Sequence, residues 1–253
     1  MSILSASNIR KIYGGGKNFA ETEALSNIDF TLDEGEFVAV MGPSGSGKST
    51  LLNILSGFDK ATSGQVLIQD TNIGEMEKDQ LSVFRRSNIG YIFQEYNLLD
   101  SLTIKENIML PMILDNKGIE EMNKRAGDLI NLLGIDTIKD KYPYSVSGGQ
   151  QQRTAICRAL INKTSIIFAD EPTGSLDSKA SKAVLECFKK VNKSNGITIL
   201  MVTHDPYAAS YSDRVLFIKD GSIKTQLYKD NQQAFFQQIL DNLAVLEEND
   251  YDV

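Results

Sequence analysis

Nine consecutive residues constrain this chain more than any others. Gly42-Pro43-Ser44-Gly45-Ser46-Gly47-Lys48-Ser49-Thr50 fits G-x-x-x-x-G-K-[ST], a phosphate-binding loop. Residues 36–41 (EFVAVM) read as a buried strand leading into it, and residues 51–55 (LLNIL) as a helix leading out. Strand, glycine loop and helix in that order are the context the motif requires. The glycines let the backbone curl so that successive N–H groups face phosphate oxygens. The helix start adds the positive end of its dipole. Lys48 is placed to reach the outer phosphates, and Ser49 to offer its hydroxyl to Mg²⁺. A glycine turn that binds nothing would not need all the fixed positions and both flanks.

The chain has 253 residues, enough for one large domain with a subdomain. Its net charge of -7 argues against nonspecific nucleic-acid binding, which wants a basic face. No apolar run is long enough to cross a bilayer. The start MSILS lacks the charged and apolar regions of a signal peptide. Cys157 and Cys187 fall in helical patterns and read as buried, reduced thiols of a cytosolic protein. His204 is the only histidine, so no metal-ligand cluster is expected.

Short apolar stretches at 3–6, 9–13, 28–32 and 36–41 read as four strands, with a flexible loop from Gly14 to Glu23. Residues 65–68 and 89–93 read as further strands. From Glu95 to about Lys141 the apolar spacing becomes helical, with Met122, Ala126, Leu129, Ile130, Leu132 and Leu133. Thr103 and Glu106 fit a capping box that starts a helix running until Pro111. A helical subdomain, about 95–162, is thus expected inside an α/β core. Residues 165–169 and 197–202 read as buried strands, and Val184, Leu185, Phe188 and Val191 as one apolar helix stripe between them. Residues 215–227 read as a hairpin turning at Asp220-Gly221. Alternation of strands and helices implies a largely parallel sheet covered on both faces, with antiparallel strands added at one side. The first 227 residues form one expected unit. The last stretch, 228–253, reads as an amphipathic helix carrying Phe235, Phe236, Ile239, Leu240, Leu243 and Leu246, then an acidic end.

The apolar strand at 166–169 ends in Asp170-Glu171. Ligands of open α/β sheets bind at such strand ends, so both carboxylates are expected near the phosphate loop. Asp170 can hold Mg²⁺ and Glu171 can polarise an attacking water. An ordinary acidic pair at a turn is the alternative, weakened by the loop beside it. Ser147-Gly148-Gly149-Gln150 precedes a helix at 152–160 and exposes a second set of N–H groups for phosphate. One chain does not need two sites for one γ-phosphate, whereas two chains arranged head to tail would use both.

Phosphate loop, Gln94, Ser147 to Gln150, Asp170-Glu171, Ser175-Leu176-Asp177 and His204 follow in the order found in ATP-binding cassette (ABC) ATPases, which the chain resembles over about residues 2–227. The resemblance implies a P-loop NTPase fold of the ABC type, with an antiparallel β subdomain and the inserted helices. It implies ATP and Mg²⁺ as ligands and a homodimer closing on ATP. Tyr13 is similar to the aromatic that stacks on adenine, although a strand-end core tyrosine would look the same. Gln94 resembles the residue that contacts Mg²⁺ and the lytic water and senses a membrane partner. Asp177 resembles the residue bridging the two nucleotide sites, and can equally cap the helix after it. His204 resembles the switch histidine on the γ-phosphate. Val146 stands where this signature usually has leucine, a smaller apolar residue in a packing role.

Residues 93–99, 102–107 and 170–178 are similar to the MacB-like group, whose membrane partners transmit motion. Residues 201–211 and the tail with Phe235-Phe236 look like Bce-type transporters of Gram-positive bacteria. That resemblance implies resistance to bacitracin and lantibiotics, a separate transmembrane permease, a partner sensor histidine kinase, and a place on the inner face of the cell membrane. A cassette of a cell-division or lipoprotein-release complex is the alternative. A non-transport ATPase on nucleic acid or ribosomes fits less well, with one cassette, no heptad insertion and an acidic balance.

Overall fold

A computed structural model of the protein describes residues 1–14 and 20–248. The N-terminal part is β1 (Ser2–Tyr13), β2 (Thr22–Asp33), β3 (Phe37–Met41), α1 (Lys48–Leu55), β4 (Ser63–Ile68), β5 (Thr71–Asn72), α2 (Lys78–Asn88) and β6 (Ile89–Ile92). Three helices follow: α3 (Ile104–Leu114), α4 (Ile119–Leu132) and α5 (Gly148–Leu160). The chain then runs through β7 (Ile166–Asp170), α6 (Ser178–Asn195), β8 (Thr198–Val202), α7 (Pro206–Ala209), β9 (Arg214–Lys219), β10 (Ser222–Tyr228) and α8 (Gln232–Glu248).

The central sheet has the order β10-β9-β3-β8-β7-β6, parallel except for β10 at one edge. An antiparallel sheet, β2-β1-β4-β5, lies beside it. Strands β3, β8 and β9 are buried at every residue, as expected of strands covered on both faces. Alternate side chains go to opposite cores. Phe37, Ala39 and Met41 pack with α3 to α6 and α8, while Val38 and Val40 pack with α1 and the antiparallel sheet.

The structure corrects several boundaries. The two expected strands at 3–6 and 9–13 are one strand, β1, bulged beside Asn8, whose φ is 51°. Strand β2 begins at Thr22, inside the expected loop, of which residues 15–19 lie outside the described residues. Helix α3 passes through Pro111 and ends at Leu114. The proline removes one rung near the helix end, and Met112 in the next position is completely buried, which helps hold that last turn in place. Helix α5 starts at Gly148, four residues earlier than expected, because Ser147 itself is the cap. Neither β5 nor α2 was announced by apolar spacing: Leu81 is the one buried residue of α2, which starts from a capping box between Glu77 and Gln80. Cys157 is buried and Cys187 partly so, both as free thiols. In α8, Phe235 and Ile239 are fully buried and Leu246 nearly so, but Phe236 and Leu240 stay 36% exposed. The acidic end from 249 lies outside the described residues.

Candidate nucleotide-hydrolysis site

The loop after β3 is shaped by its glycines. Gly47 has φ 98°, and a Cβ there would stand 2.5 Å from the Ala24 carbonyl oxygen. At Gly42 a Cβ would stand 1.9 Å from the Ile218 carbonyl oxygen. A side chain at either position would drive the loop off its neighbours. Helix α1 starts at Lys48 with no side-chain cap, so its first N–H groups are left to a ligand. Ser46 is buried, and its hydroxyl has no hydrogen-bond partner among the described residues. An uncapped helix start and an orphaned hydroxyl in one loop fit a polyphosphate.

Lys48 is buried and its Nζ donates to the carbonyls of Gly42 at 2.9 Å and Pro43 at 2.7 Å. Burial holds its pKa below the ordinary lysine value, against the opposing pull of Glu171 and Asp170. Ser49 Oγ donates to Asp170 Oδ1 at 3.4 Å, joining loop and strand end across the sheet. The Asp170 carboxyl is pushed up, first by burial and then by the charge of Glu171, against the pull of Ser49 and Lys48. Two acidic groups and a hydroxyl, drawn together in a partly buried place, suit a hard divalent cation. Gln94 follows β6; its side-chain amide lies against Gly174, and its backbone carbonyl accepts from Ser175 Oγ at 3.1 Å.

Glu171 takes a left-handed conformation, φ 42°, just past β7, and its N–H donates to the Val202 carbonyl at 2.9 Å. His204 follows β8, and its Nδ1 is 3.0 Å from Glu171 Oε2. A cleft of about 350 Å³ joins these two residues to Ala24, Ser44, Gly45, Gly47, Lys48, Ser49 and Thr50. The Glu171 carboxylate and the His204 imidazole therefore face the phosphate loop from the ends of adjacent strands. Such a pair can accept a proton from water and orient its acceptor.

The other expected residues lie elsewhere. Ser147 caps α5, its Oγ accepting from Gln150 N at 3.4 Å while Gln150 Oε1 accepts from Ser147 N at 2.9 Å. Gly148 and Gly149 pack against Leu176 and Ala180. None of Ser147 to Gln150 lines the cleft above the phosphate loop. Asp177 caps α6, accepting from Lys179 N and Ala180 N, each at 2.9 Å. A second cleft, about 620 Å³, runs from Glu171 and His204 to Leu176, Ser178, Ser181, Lys182 and Tyr207, opening the hydrolytic pair onto a face of the chain. Tyr13 ends β1, 42% exposed, with its hydroxyl donating to Asp59 Oδ2 at 2.7 Å. Sequence reasoning passed over Asp59; only its place between a helix end and a turn hinted at it.

Residues 25–174 match the family described as ABC transporter. The chain is 48% identical to the ABC transporter ATP-binding protein YxdL of Bacillus subtilis, covering 100% of this chain and 97% of that one. It is also 48% identical to the bacitracin export ATP-binding protein BceA of Halalkalibacterium halodurans, covering 97% of each. A dimeric solved structure of the ATP-binding cassette MJ0796, in a post-hydrolysis state bound to ADP and Pi, is 40% identical over 89% of this chain and 98% of that one, with a TM-score of 0.80. With likeness of that depth running through the phosphate loop and both carboxylates, the chain belongs to the ABC transporter family, as an ATP-binding and ATP-hydrolysing subunit.

Proposed function

We propose that this chain powers a membrane transporter that protects a bacterium from peptide antibiotics of the bacitracin and lantibiotic kind. Cleavage of ATP is carried by one observation, the cleft that sets Glu171 and His204 over the phosphate loop. The choice of substrate is supported by identity to BceA along nearly the whole of both chains.

In this reading the loop N–H groups and Lys48 hold the β- and γ-phosphates, and the Tyr13 ring stacks on the adenine. Ser49, Asp170 and Gln94 would hold Mg²⁺, which supplies charge neutralisation at the phosphates. Glu171 accepts the proton of the attacking water, and His204 orients that carboxylate and meets the γ-phosphate. Two copies close head to tail, so that Ser147 to Gln150 of one chain cover the phosphates on the other and Asp177 sits between the sites. The dimeric cassettes among its solved relatives support this arrangement.

No helix among the described residues is long and apolar enough to cross a membrane. In this reading a separate permease spans it, which the likeness to an export ATP-binding protein supports. A groove of about 360 Å³ suits one of its helices. Phe58, Arg85, Tyr91, Leu110, Leu114 and Arg158 line it, where α3 meets the core. The chain then works at the inner face of the membrane, and the permease can also bear on a sensor histidine kinase.

Deletion of the gene tests the reading. Growth with bacitracin and nisin should become more sensitive, restored by the wild-type chain and not by Glu171→Gln. Unchanged sensitivity to both peptides removes the peptide-resistance assignment.

A further inference from the structure

Asp59 lies in the turn after α1, held there by its own N–H donating to the Asn53 carbonyl at 3.1 Å. Its carboxylate gathers three donors. Tyr13 Oη donates to Oδ2 at 2.7 Å, and Lys11 Nζ and the Lys60 N–H donate to Oδ1, each at 2.7 Å. Lys11 Nζ also donates to the Lys60 carbonyl at 2.7 Å, and its side chain is only 12% exposed. These bonds tie the end of β1 to the end of the phosphate-loop helix. Burial alone would raise the Asp59 pKa, but its bonds to Lys11, Tyr13 and the Lys60 N–H outweigh it and keep the carboxylate ionised.

The Tyr13 ring is thereby pinned at its far end as well as at its backbone, which matters because Tyr13 is the last residue of β1 and is half-exposed. Lys11 Nζ stands 4.6 Å from the ring centroid, over one face. Tyr13 keeps 42% of its surface exposed, where a planar base can stack. A side chain already held in its bound orientation loses less entropy when a ligand stacks on it.

We propose that Asp59 is a positioning residue for the nucleotide base: through its bonds to Tyr13 and Lys11 it presents one face of the Tyr13 ring to the adenine. The inference rests on the stacking role given to Tyr13 above. Charge-assisted hydrogen bonds of this kind are the strong ones, so losing this one should be visible in base affinity.

Calorimetric titration of the full chain with ADP tests it, with tripolyphosphate as a probe that has no base. Asp59→Asn takes the charge out of these bonds and sets an amide donor against Tyr13 Oη or Lys11 Nζ, so it should weaken ADP about three- to tenfold, of the order of one hydrogen bond, and leave tripolyphosphate unchanged. Tyr13→Phe, which keeps the ring and loses only the hydroxyl, should weaken ADP equally, and the double variant no further. In turnover, KM for ATP rises and kcat holds. If Tyr13→Ala weakens ADP while Asp59→Asn and Tyr13→Phe bind it as the wild type does, stacking stands and the tether falls. If Tyr13→Ala binds ADP normally, the stacking reading falls and takes the inference with it. Equal loss of tripolyphosphate affinity in Asp59→Asn would place its effect on the phosphate loop and overturn the proposal.

Discussion

His204 Nδ1 and Glu171 Oε2 stand 3.0 Å apart although 33 positions separate them in the chain. Parallel pairing of β7 with β8 sets Asp170 beside Val202, and the side chains that meet lie one residue past the end of β7 and two past the end of β8. Glu171 is anchored by its own N–H on the Val202 carbonyl, and His204 through its neighbour, whose Thr203 N–H donates to the Val40 carbonyl at 3.1 Å. The Glu171 side chain is 24% exposed and that of His204 65%, so the imidazole is the outer wall of the pair.

Removing the imidazole should therefore harm the chemistry far more than the binding. His204→Ala is expected to weaken ATP by no more than one hydrogen bond, a few-fold, and to slow hydrolysis by about 10²-fold, the lower end of what a positioned acid–base group contributes. Glu171→Gln should be slower still. Single-turnover rates at saturating ATP, beside equilibrium binding, check this. A His204→Ala chain within threefold of the wild-type rate would leave the contact without a catalytic purpose.

The separation of Ser147 to Gln150 from the phosphate cleft leads to a mixing experiment. Ser147→Ala, which breaks the signature, and Lys48→Ala, which breaks the phosphate loop, should each be nearly inactive alone. Mixed at equal concentration, they should regain part of the ATPase activity. A mixed head-to-tail pair joins the intact loop of one chain to the intact signature of the other. Absence of recovery, with mixed dimers shown by size, would argue that each chain uses its own signature.

Gly47 offers a backbone test. An alanine there meets the Ala24 carbonyl oxygen at 2.5 Å in a left-handed conformation, at a cost of order 1–3 kcal/mol from the conformation alone. The loop must shift, so Gly47→Ala should lose nucleotide affinity at least about tenfold, for a cost of that order is a tenfold change or more. Gly118→Ala is the control, since a Cβ there meets nothing within 4 Å. Calorimetry with ADP on both variants is the measurement.

The phosphate loop, the acidic strand end and the caps at Thr103 and Asp177 were legible because each is a local pattern with a local physical reason. Contiguous residues carry them, and the structure places them as helix starts and strand ends. Helix α2 was not legible: it buries only Leu81, so it has no apolar stripe to read. The break expected between the first two strands came from the polar Ser7-Asn8, which the structure absorbs as a bulge. Pro111 misled for the opposite reason: the helix runs on past it, with its neighbour Met112 buried. The contacts among Tyr13, Lys11 and Asp59 join positions 46 and 48 apart, and no spacing rule reaches that far.

The tail poses the sharpest contrast between neighbours. Phe235 is fully buried against the core that α6 and β9 share, whereas Phe236 is 36% exposed. The Phe235 N–H is held by the Asn231 carbonyl at 2.8 Å, and Lys229 Nζ lies 5.5 Å from its ring. Phe235→Ala should cost about 3–5 kcal/mol, as buried phenylalanines do. Phe236→Ala should cost no more than about 0.5 kcal/mol, the scale of a surface change. Urea midpoints at a common slope measure both. Truncation after Lys229 uncovers the surface that Phe235, Ile239 and Leu246 fill, so it should destabilise at least as much as Phe235→Ala. A truncated chain as stable as the full one would mean that α8 does not belong to this fold, and its apolar residues would then have to serve a partner instead.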